Sequence, residues 1–399
     1  MLGNIFFVAD QDQQKLTLSS YNLEFGMVVN LDANVTSSGE MSVPHSLFTK
    51  IVDKFPQGNL SLTSSRKKLF AEVGNSEQEL NETEQEEAGI CAVLSTPIDP
   101  DKHFEFFAHN SEDFPSLPKV KTKLVTLPGD QLIAQLSASL FAASSDETKK
   151  ILNGSQLVFA YDPKKQFISL TTWTTDGHRL VRTQASKECK TKSKLKHLNE
   201  PVSFVVPIKV LKELTRQLNP IDEITIYFEP NSSSQTQAGT VMFTWDNKSL
   251  VSRTIEGQYP DCQGIIDVYK PQYNRTFVCN RWFLLKALER FLVLSDKSSQ
   301  GLSIHLDSRK QKAILSLERH SVGKGTEAVP IELKGDKLEF LYNVRYLYEI
   351  VKATTSLDIC FNLTNTTLPT LITPHHTMER GDMAIEVEYI LAPMQGGTS

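Results

Sequence analysis

The chain has 399 residues, of which 40% are hydrophobic and 22% are charged. These values are ordinary for folded proteins, so a collagen-like chain is excluded and an intrinsically disordered one is disfavoured. The net charge of −5, from 42 basic and 47 acidic residues, argues against a surface that is basic all over and binds nucleic acid everywhere. A local basic lining is compatible with this sum.

The cysteines and the apolar runs indicate the compartment. Five cysteines are far apart in the chain, and no Cys-x-x-Cys pair occurs. This set predicts no zinc site and no redox motif, and it fits a reducing compartment. The first apolar run ends at Asp10, and no run reaches about 18 apolar residues, the length of a membrane span. We therefore expect a cytoplasmic protein with no membrane partner, no metal and no cofactor.

The first predicted elements are a β-hairpin and a helix. Residues 5–10 and 16–19 are short apolar segments on either side of a polar turn, a pattern typical of a hairpin. A helix is predicted from Pro44, because proline is favoured at a helix start and the apolar spacing that follows is helical. Its apolar face consists of Leu47, Phe48 and Ile51. A short strand with Leu60 and Leu62 follows.

The second group of elements begins with an additional helix and then repeats the pattern. The apolar face of this helix consists of Leu132, Ile133, Leu136, Leu140 and Phe141. Residues 156–162 and 167–172 predict a hairpin, and a second helix is predicted from Pro207. The apolar face of that second helix consists of Val210, Leu211 and Leu214. A strand with Ile224 and Ile226 follows.

The third group has the same order as the second. The apolar face of its first helix is assigned to Trp282, Leu285, Leu288 and Leu292. A hairpin is predicted at residues 303–306 and 313–317, and a second helix from Asn343. The apolar face of that second helix consists of Tyr346, Leu347 and Ile350. A strand with Ile359 and Phe361 follows.

A threefold internal repeat therefore organises the chain. We expect an α+β protein of three similar domains, 1–118, 119–268 and 269–399. The first repeat lacks the strand and helix that open the other two, a difference of about 30 residues. By comparison with those copies, we expect the chain to be shortened at its N-terminus.

Five sequence motifs carry a resemblance to a known family. They are TTDGHRL at 174–180, VVPIKVLKEL at 205–214, RTIEGQYPD at 253–261, NVRYLYEIVKA at 343–353 and YILAPM at 389–394. In this order and at these distances, the set resembles the bacterial sliding clamp, the beta subunit of DNA polymerase III. The resemblance covers nearly the whole chain.

The resemblance implies three clamp domains of the processivity fold in each chain. Two chains would join head to tail in a ring, with sheets outside and helices lining a hole around double-stranded DNA. Such a ring is non-catalytic and tethers the replicative polymerase to its template. Its other partners would be the clamp loader and further clients, which bind through short linear peptides.

The resemblance also assigns a client-peptide pocket, whose positions are carried over one by one. They are Leu152, Thr175, Gly177, His178, Arg179, Leu180, Pro260, Ile265, Ile390, Leu391, Pro393 and Met394. Apolar walls with a few polar groups suit an apolar peptide anchor. This sequence departs from the family at Gly264, where arginine is usual, at Ala392, where a larger residue is usual, and at its tail from Gln395. We expect a pocket that is wider and less polar than in other clamps.

Two further surfaces are predicted. Exposed lysines would face DNA phosphates at the end of a lining helix and in the loop 187–197, although that loop also reads as an ordinary solvated one. The DNA-facing set is Lys149, Lys150, Lys190, Lys192, Lys194 and Lys196. The ring-closing contact would use Phe104 and Phe106 of one chain and Val293 and Leu294 of the other; a core position for the two phenylalanines is the less favoured alternative.

Two alternatives to the processivity ring remain open in the sequence. A hydrolase could use Asp176 and His178, but no motif supplies a third catalytic group. A degenerate clamp paralogue that no longer encircles DNA is compatible with the shortened start and the altered pocket.

Overall fold

The computed structural model describes residues 3–68, 88–96, 99–109, 114–188, 200–231, 238–296, 300–320, 322–375 and 385–394. Their helices and strands follow a repeated order along the chain. The first group contains four strands, a helix and three strands. It consists of β1 (Asn4–Asp10), β2 (Lys15–Tyr21), β3 (Phe25–Asp32), β4 (Gly39–Pro44), α1 (His45–Val52), β5 (Ser61–Lys68), β6 (Ala88–Thr96) and β7 (Asp99–Ala108).

The second group places a strand and a helix before that same order. It consists of β8 (Lys123–Pro128), α2 (Gly129–Ser139), β9 (Gly154–Asp162), β10 (Phe167–Thr175), β11 (Arg179–Glu188), β12 (Val202–Pro207), α3 (Ile208–Gln217), β13 (Glu223–Pro230), β14 (Gly239–Trp245) and β15 (Lys248–Arg253).

The third group follows a short helix, α4 (Cys262–Tyr269), and has the order of the second group. It consists of β16 (Arg275–Asn280), α5 (Arg281–Leu294), β17 (Gly301–Asp307), β18 (Lys312–Arg319), β19 (Gly323–Lys334), β20 (Leu338–Asn343), α6 (Val344–Ala353), β21 (Asp358–Leu363), β22 (Thr370–His375) and β23 (Glu386–Leu391).

The predicted hairpins and helices are confirmed, and with them the α+β class. The three repeated helices begin directly after Pro44, Pro207 and Asn343, as the spacing predicts. Prolines suit the first two starts because the first N–H groups of a helix have no partner within it. At the third start, the Asn343 side chain accepts the N–H groups of Arg345 and Tyr346.

Two details of the helix predictions are wrong. Helix α2 ends at Ser139, so Leu140 and Phe141 belong to a separate 3-10 turn, Leu140–Ala142. The apolar face assigned to α5 is also displaced, because Trp282 is exposed. The buried residues of α5 are Leu284, Ala287, Leu288 and Phe291.

The structure divides into two compact units. The first contains residues 1–121 and 242–253. Within it, strands β4-β1-β2-β3-β15 are neighbours in that order in one sheet, and β5-β6-β7 form another. Its core packs Phe7 and Phe106 around Phe48 of α1, with edge-to-face ring contacts.

The second unit contains residues 122–241 and 254–399. A twelve-stranded sheet runs through it in the order β12-β9-β10-β11-β23-β22-β21-β16-β19-β18-β17-β20. Strands β11 and β23 pair antiparallel, with Arg179 opposite Leu391 and Leu180 opposite Ile390. This pairing brings two distant motifs, at 174–180 and 389–394, side by side.

The domain boundaries at 118 and 268 and the shortened N-terminus stay predictions. In the described part of the chain, no helix is long and apolar enough to cross a membrane.

Candidate functional site

The turn between β10 and β11 forms the centre of the candidate site. The Thr175 hydroxyl donates to the carbonyl of Arg179 over 2.6 Å and accepts the N–H of Gly177 over 3.0 Å. The Asp176 carboxylate accepts the N–H groups of His178 and Arg179. Gly177 lies at φ +93°, which glycine adopts without strain. His178 is exposed at the tip, and its ring stacks on Tyr346.

The Asp176 carboxylate thus has a structural role. Besides the two N–H groups, it accepts the Nε of Arg179 over 3.0 Å, and its side chain is 10% exposed. A carboxylate held in this way is satisfied by the turn itself and is not aimed at the exposed His178 ring. The geometry therefore gives the hydrolase alternative no support.

Arg179 is enclosed on every side. Its guanidinium pairs with Asp176 and Glu349, and it donates to the Phe141 carbonyl over 2.7 Å. The group also lies over the rings of Phe141 and Tyr346, at 5.1 and 4.4 Å from their centroids. The side chain is only 6% exposed, so Arg179 holds the turn in place, and its contact with a peptide stays a prediction.

An apolar floor lies on the other face of the same strands. Leu180 and Ile390 are buried in one cluster, against which Leu152 packs as a partly buried residue. Beyond β23, the Ala392 N–H donates to the His178 carbonyl and the Met394 N–H to the Leu341 carbonyl. The first hydrogen bond holds this segment beside the turn, and the second joins Met394 to β20. Leu391 points away from this floor and is buried in the core of the third group.

Helix α4 provides the opposite wall, and the sequence analysis missed it. The Asp261 carboxylate caps the helix by accepting the Gly264 N–H over 3.0 Å. Ile265 is 39% exposed, and Ile266 and Cys262 are buried in the floor cluster. The signal was present, because Asp261 precedes apolar residues at 262, 265, 266 and 269, which is helical spacing.

Tyr259 fastens this wall to the sheet. Its hydroxyl accepts the Thr175 N–H over 3.1 Å and contacts the Gly154 carbonyl. Burial raises the pKa of this hydroxyl, so it stays protonated and can donate. Burial also raises the pKa of the neighbouring Cys262 thiol, to about 12, so this cysteine is an apolar packing residue.

A cleft of 480 Å³ lies beside the predicted pocket. Its floor contains Trp173, Phe204 and Val205, and it shares Tyr259 and Pro260 with the wall described above. Sequence reasoning did not find the cleft, because its residues come from four separate segments. It likewise missed Trp173, Tyr259 and Tyr346 as neighbours of the pocket.

The predicted DNA-facing lysines are only partly described. Lys190, Lys192, Lys194 and Lys196 lie outside the described residues. Lys149 and Lys150 are exposed, but they are not at the end of a helix as expected, because α2 ends ten positions before Lys149. They lie next to Leu152, close to the pocket. Their contact with DNA stays a prediction.

The repeated helices carry basic residues that the sequence analysis did not single out. In α3 and α6 the buried side chains cover one face, and exposed cations occupy the other. These cations are Lys209, Lys212, Arg216, Arg345 and Lys352. Arg216 pairs with Glu213, whereas the other four form no ion pair with an acidic side chain among the residues that the structure describes.

The predicted interface residues differ in exposure. Phe106 is buried in the core of the first unit, whereas Phe104 is 50% exposed and contacts the Phe55 ring edge-on. Val293 is 86% exposed at the end of α5, and Leu294 lies against Gly323 and Gly325 of β19. The interface itself stays a prediction.

Comparisons with known proteins agree over the length of the chain. Residues 126–261 match the model of the DNA polymerase III beta subunit, central domain, and residues 271–390 match that of its C-terminal domain. A beta sliding clamp from Synechococcus elongatus is 29% identical, over 99% of this chain and 92% of its own length. One from Synechocystis sp. is 28% identical, over 94% and 88%. A crystal structure of a putative DNA polymerase III beta subunit from Eubacterium rectale has a TM-score of 0.78 at 17% identity, covering 99% of this chain and 92% of that one.

Proposed function

Because this chain belongs to the family of DNA polymerase III beta subunits, the bacterial sliding clamps, we propose that it is a processivity factor of DNA replication. Two chains form a ring that encircles duplex DNA and slides on it. The ring holds the replicative polymerase on its template by topology, which raises the effective concentration of the enzyme at the primer end. It is non-catalytic and acts in the cytoplasm. The three repeats are its three domains.

The strand edges carry this proposal. In the first unit, the third strand of the first group (β3) pairs with the last strand of the second group (β15). In the second unit, β11 pairs in the same way with β23. In the same numbering, the third strand of the third group is β19 and the last strand of the first group is β7. These two strands form the one remaining pair of the repeat.

These two strands offer complementary edges. In the described part of the chain, residues 323–330 of β19 pair with β18 on one side and with no strand on the other, and β7 ends its sheet. A second copy supplies the missing partner if β19 of one chain pairs with β7 of the next. Doing this at both ends closes a head-to-tail dimer with twofold symmetry, and it leaves no long strand edge open at these positions.

The basic faces of α3 and α6 support the contact with DNA. Lysine and arginine side chains on a lining helix attract phosphates without reading bases, as a sliding ring requires.

The described pocket supports the contact with clients. An exposed His178, the apolar residues Leu152 and Ile265, and Met394 surround a floor that suits one apolar anchor.

Topological retention tests this function. The protein is loaded onto nicked circular DNA by a clamp loader and then washed in high salt, before and after the circle is cut once. We expect retention on the circle and loss from the linear form, because a ring slides off free ends. Equal retention on both forms would contradict encirclement. No retention on either form, with the loader active on a known clamp, would favour the degenerate paralogue.

A further inference from the structure

We infer that the joint face of helices α5 and α6 binds unpaired bases of DNA, which stack on Trp282 while neighbouring lysine and arginine side chains contact the phosphates. This inference rests on the proposed function, since it concerns DNA inside the ring. It goes beyond that function, because the basic lining attracts phosphates alone and does not distinguish paired from unpaired nucleotides.

Trp282 is an exposed aromatic residue on a helix of the repeat. It is 57% exposed, and its ring lies edge-on to that of the half-exposed Phe283, with 5.4 Å between the centroids. Lys286 and Arg290 follow at intervals of four residues, so these side chains lie along one face of α5. The buried residues of α5 lie on the opposite face.

Arg281 joins the start of α5 to the end of α6. Its guanidinium donates to the carbonyls of Val351 and Lys352 over 2.9 and 3.2 Å. Trp282 therefore lies beside the end of α6 that carries the exposed Lys352. The Lys352 ammonium lies 5.5 Å from the centroid of the Tyr348 ring, one helical turn earlier. Aromatic rings and cations thus occur together across the two helices.

The charges on these two helices indicate an anionic ligand. Arg345 and Lys352 are exposed and form no ion pair with an acidic side chain among the described residues. Lys286 and Arg290 have acidic partners at the surface, and such pairs contribute little to stability and can give way to phosphate. Cations beside an exposed aromatic ring are the pattern by which proteins bind single-stranded nucleic acid.

The second group of the repeat lacks the aromatic part of this pattern. The exposed residues of α2 and α3 include no aromatic side chain; they are Asp130, Ala134, Ser137, Lys209, Lys212 and Arg216. Asp130 and Trp282 are each the second residue of their helix. Cations are sufficient for a sliding contact with phosphates, so the aromatic ring on α5 points to a further contact.

Stacking distinguishes unpaired from paired bases. In a duplex the faces of each base are covered by its neighbours, whereas a base in a single strand can offer a face to the indole ring. Every base has such a face, so the contact carries no sequence preference. The ring would slide over duplex DNA and pause where bases are unpaired.

Fluorescence titration of the full-length protein with a short thymidine oligonucleotide tests the inference. Trp173 and Trp245 are 6% and 2% exposed, so Trp282 is the tryptophan that a base can reach. We expect the single strand to quench the tryptophan emission. A hairpin-capped duplex without unpaired bases should leave it nearly unchanged, and so should an abasic oligonucleotide with the same number of phosphates.

Variants separate stacking from charge when the anisotropy of a labelled oligonucleotide is measured. Trp282→Leu should weaken single-strand binding about five- to 150-fold, the range for the loss of one stacked base, and leave duplex binding unchanged. Trp282→Phe should keep part of the affinity. Leu357→Ala is the matched control and should bind like the wild type. Leu357 is 71% exposed, and its carbonyl accepts the Arg281 N–H, so it lies at the same end of α5 without an aromatic face.

Retention on nicked circular DNA, measured alongside, separates this inference from the proposed function. If the wild type is retained on circles but the oligonucleotide does not quench it, or if Trp282→Leu binds the oligonucleotide as tightly, the inference is wrong and the clamp function stands. Equal losses in Trp282→Leu and Leu357→Ala would also contradict it, because an aliphatic residue cannot stack. If the wild type is not retained on circles, the proposed function fails instead.

Discussion

At the scale of single residues, Arg179 shows that a motif residue can hold its own fold together. The resemblance placed Arg179 among the pocket residues. In the structure its guanidinium donates hydrogen bonds to the carboxylates of Asp176 and Glu349 and to the Phe141 carbonyl. The exposed group of the motif is His178. Sequence spacing gives the neighbours along the chain, but Glu349 is 170 positions away and only the fold brings it close.

Replacing this arginine should therefore destabilise the fold. Arg179→Gln leaves two carboxylates without their cation, and breaking a buried ion pair costs about 3–5 kcal/mol. Arg216→Gln is the matched control, because its pair with Glu213 is exposed on the arginine side, 72%, and such pairs contribute up to about 1 kcal/mol. Urea unfolding of both variants measures the difference. Equal losses would mean that the enclosed network contributes no more than a surface pair.

Tyr259→Phe tests the fastening of the α4 wall. The variant leaves the buried Thr175 N–H without its acceptor, which costs about 1–3 kcal/mol in unfolding experiments near pH 7. Because burial raises the pKa of Tyr259, the residue contributes fully to the free energy of unfolding below the ordinary tyrosine pKa of about 10. This contribution is lost as the pH rises further. The difference in unfolding free energy between wild type and variant should therefore become smaller above that pH. A difference that becomes larger there would contradict the assigned hydrogen bond.

At the scale of helices and strands, apolar periodicity predicted the repeated elements but not all of their faces. The helix from Pro207 was placed correctly because Val210, Leu211 and Leu214 are all buried. The face of α5 was misassigned because it included Trp282. Helical spacing places Trp282 on the side of Lys286, Glu289 and Arg290, opposite the buried Leu284, Leu288 and Phe291. The sequence therefore contained the signal for the exposed face, and the assignment did not use it.

The exposed face of α3 carries the next prediction. Lys209→Glu together with Lys212→Glu should shorten retention on circular DNA and lower the slope of log affinity against log salt by about one to two. The side chains are exposed, so the stability of the chain should change by less than about 0.5 kcal/mol. The matched control is Lys164→Glu with Lys165→Glu, in the exposed hairpin turn between β9 and β10. If both pairs reduce retention equally, net charge and not the α3 face is responsible.

At the scale of the whole molecule, the repeat in the sequence predicts which strand edges need a partner, but not which residues meet there. Phe104 and Phe106 are two positions apart in β7 and therefore lie on the same face of the strand, so the sequence pattern predicts the same environment for both. The structure buries Phe106 over Phe48 and leaves Phe104 half exposed beside Phe55. Helix α1 covers the part of the strand that contains Phe106, whereas Phe104 lies beside Phe55, beyond the end of the helix. The alternating pattern of β7 does not show where the helix that covers it ends.

The ring closure can be tested with residues that are exposed within one chain. Val293 is 86% exposed at the end of α5, and its neighbour Leu294 lies against the start of β19, whose outer edge is proposed to pair with β7 of a second copy. Val293→Asp should leave the folding of each chain nearly unchanged, because the residue is in water before assembly. In the dimer the new carboxylate would be desolvated in an apolar contact, which costs several kcal/mol at each of the two interfaces. We expect sedimentation to show the wild type as a dimer at micromolar concentration and the variant as a protomer of 44.8 kDa.

Ile221→Asp is the control, because Ile221 is 92% exposed and lies far along the chain from both proposed edges. If Val293→Asp stays dimeric, the end of α5 lies outside the interface. If both variants dissociate equally, the loss reflects added negative charge and not a local contact.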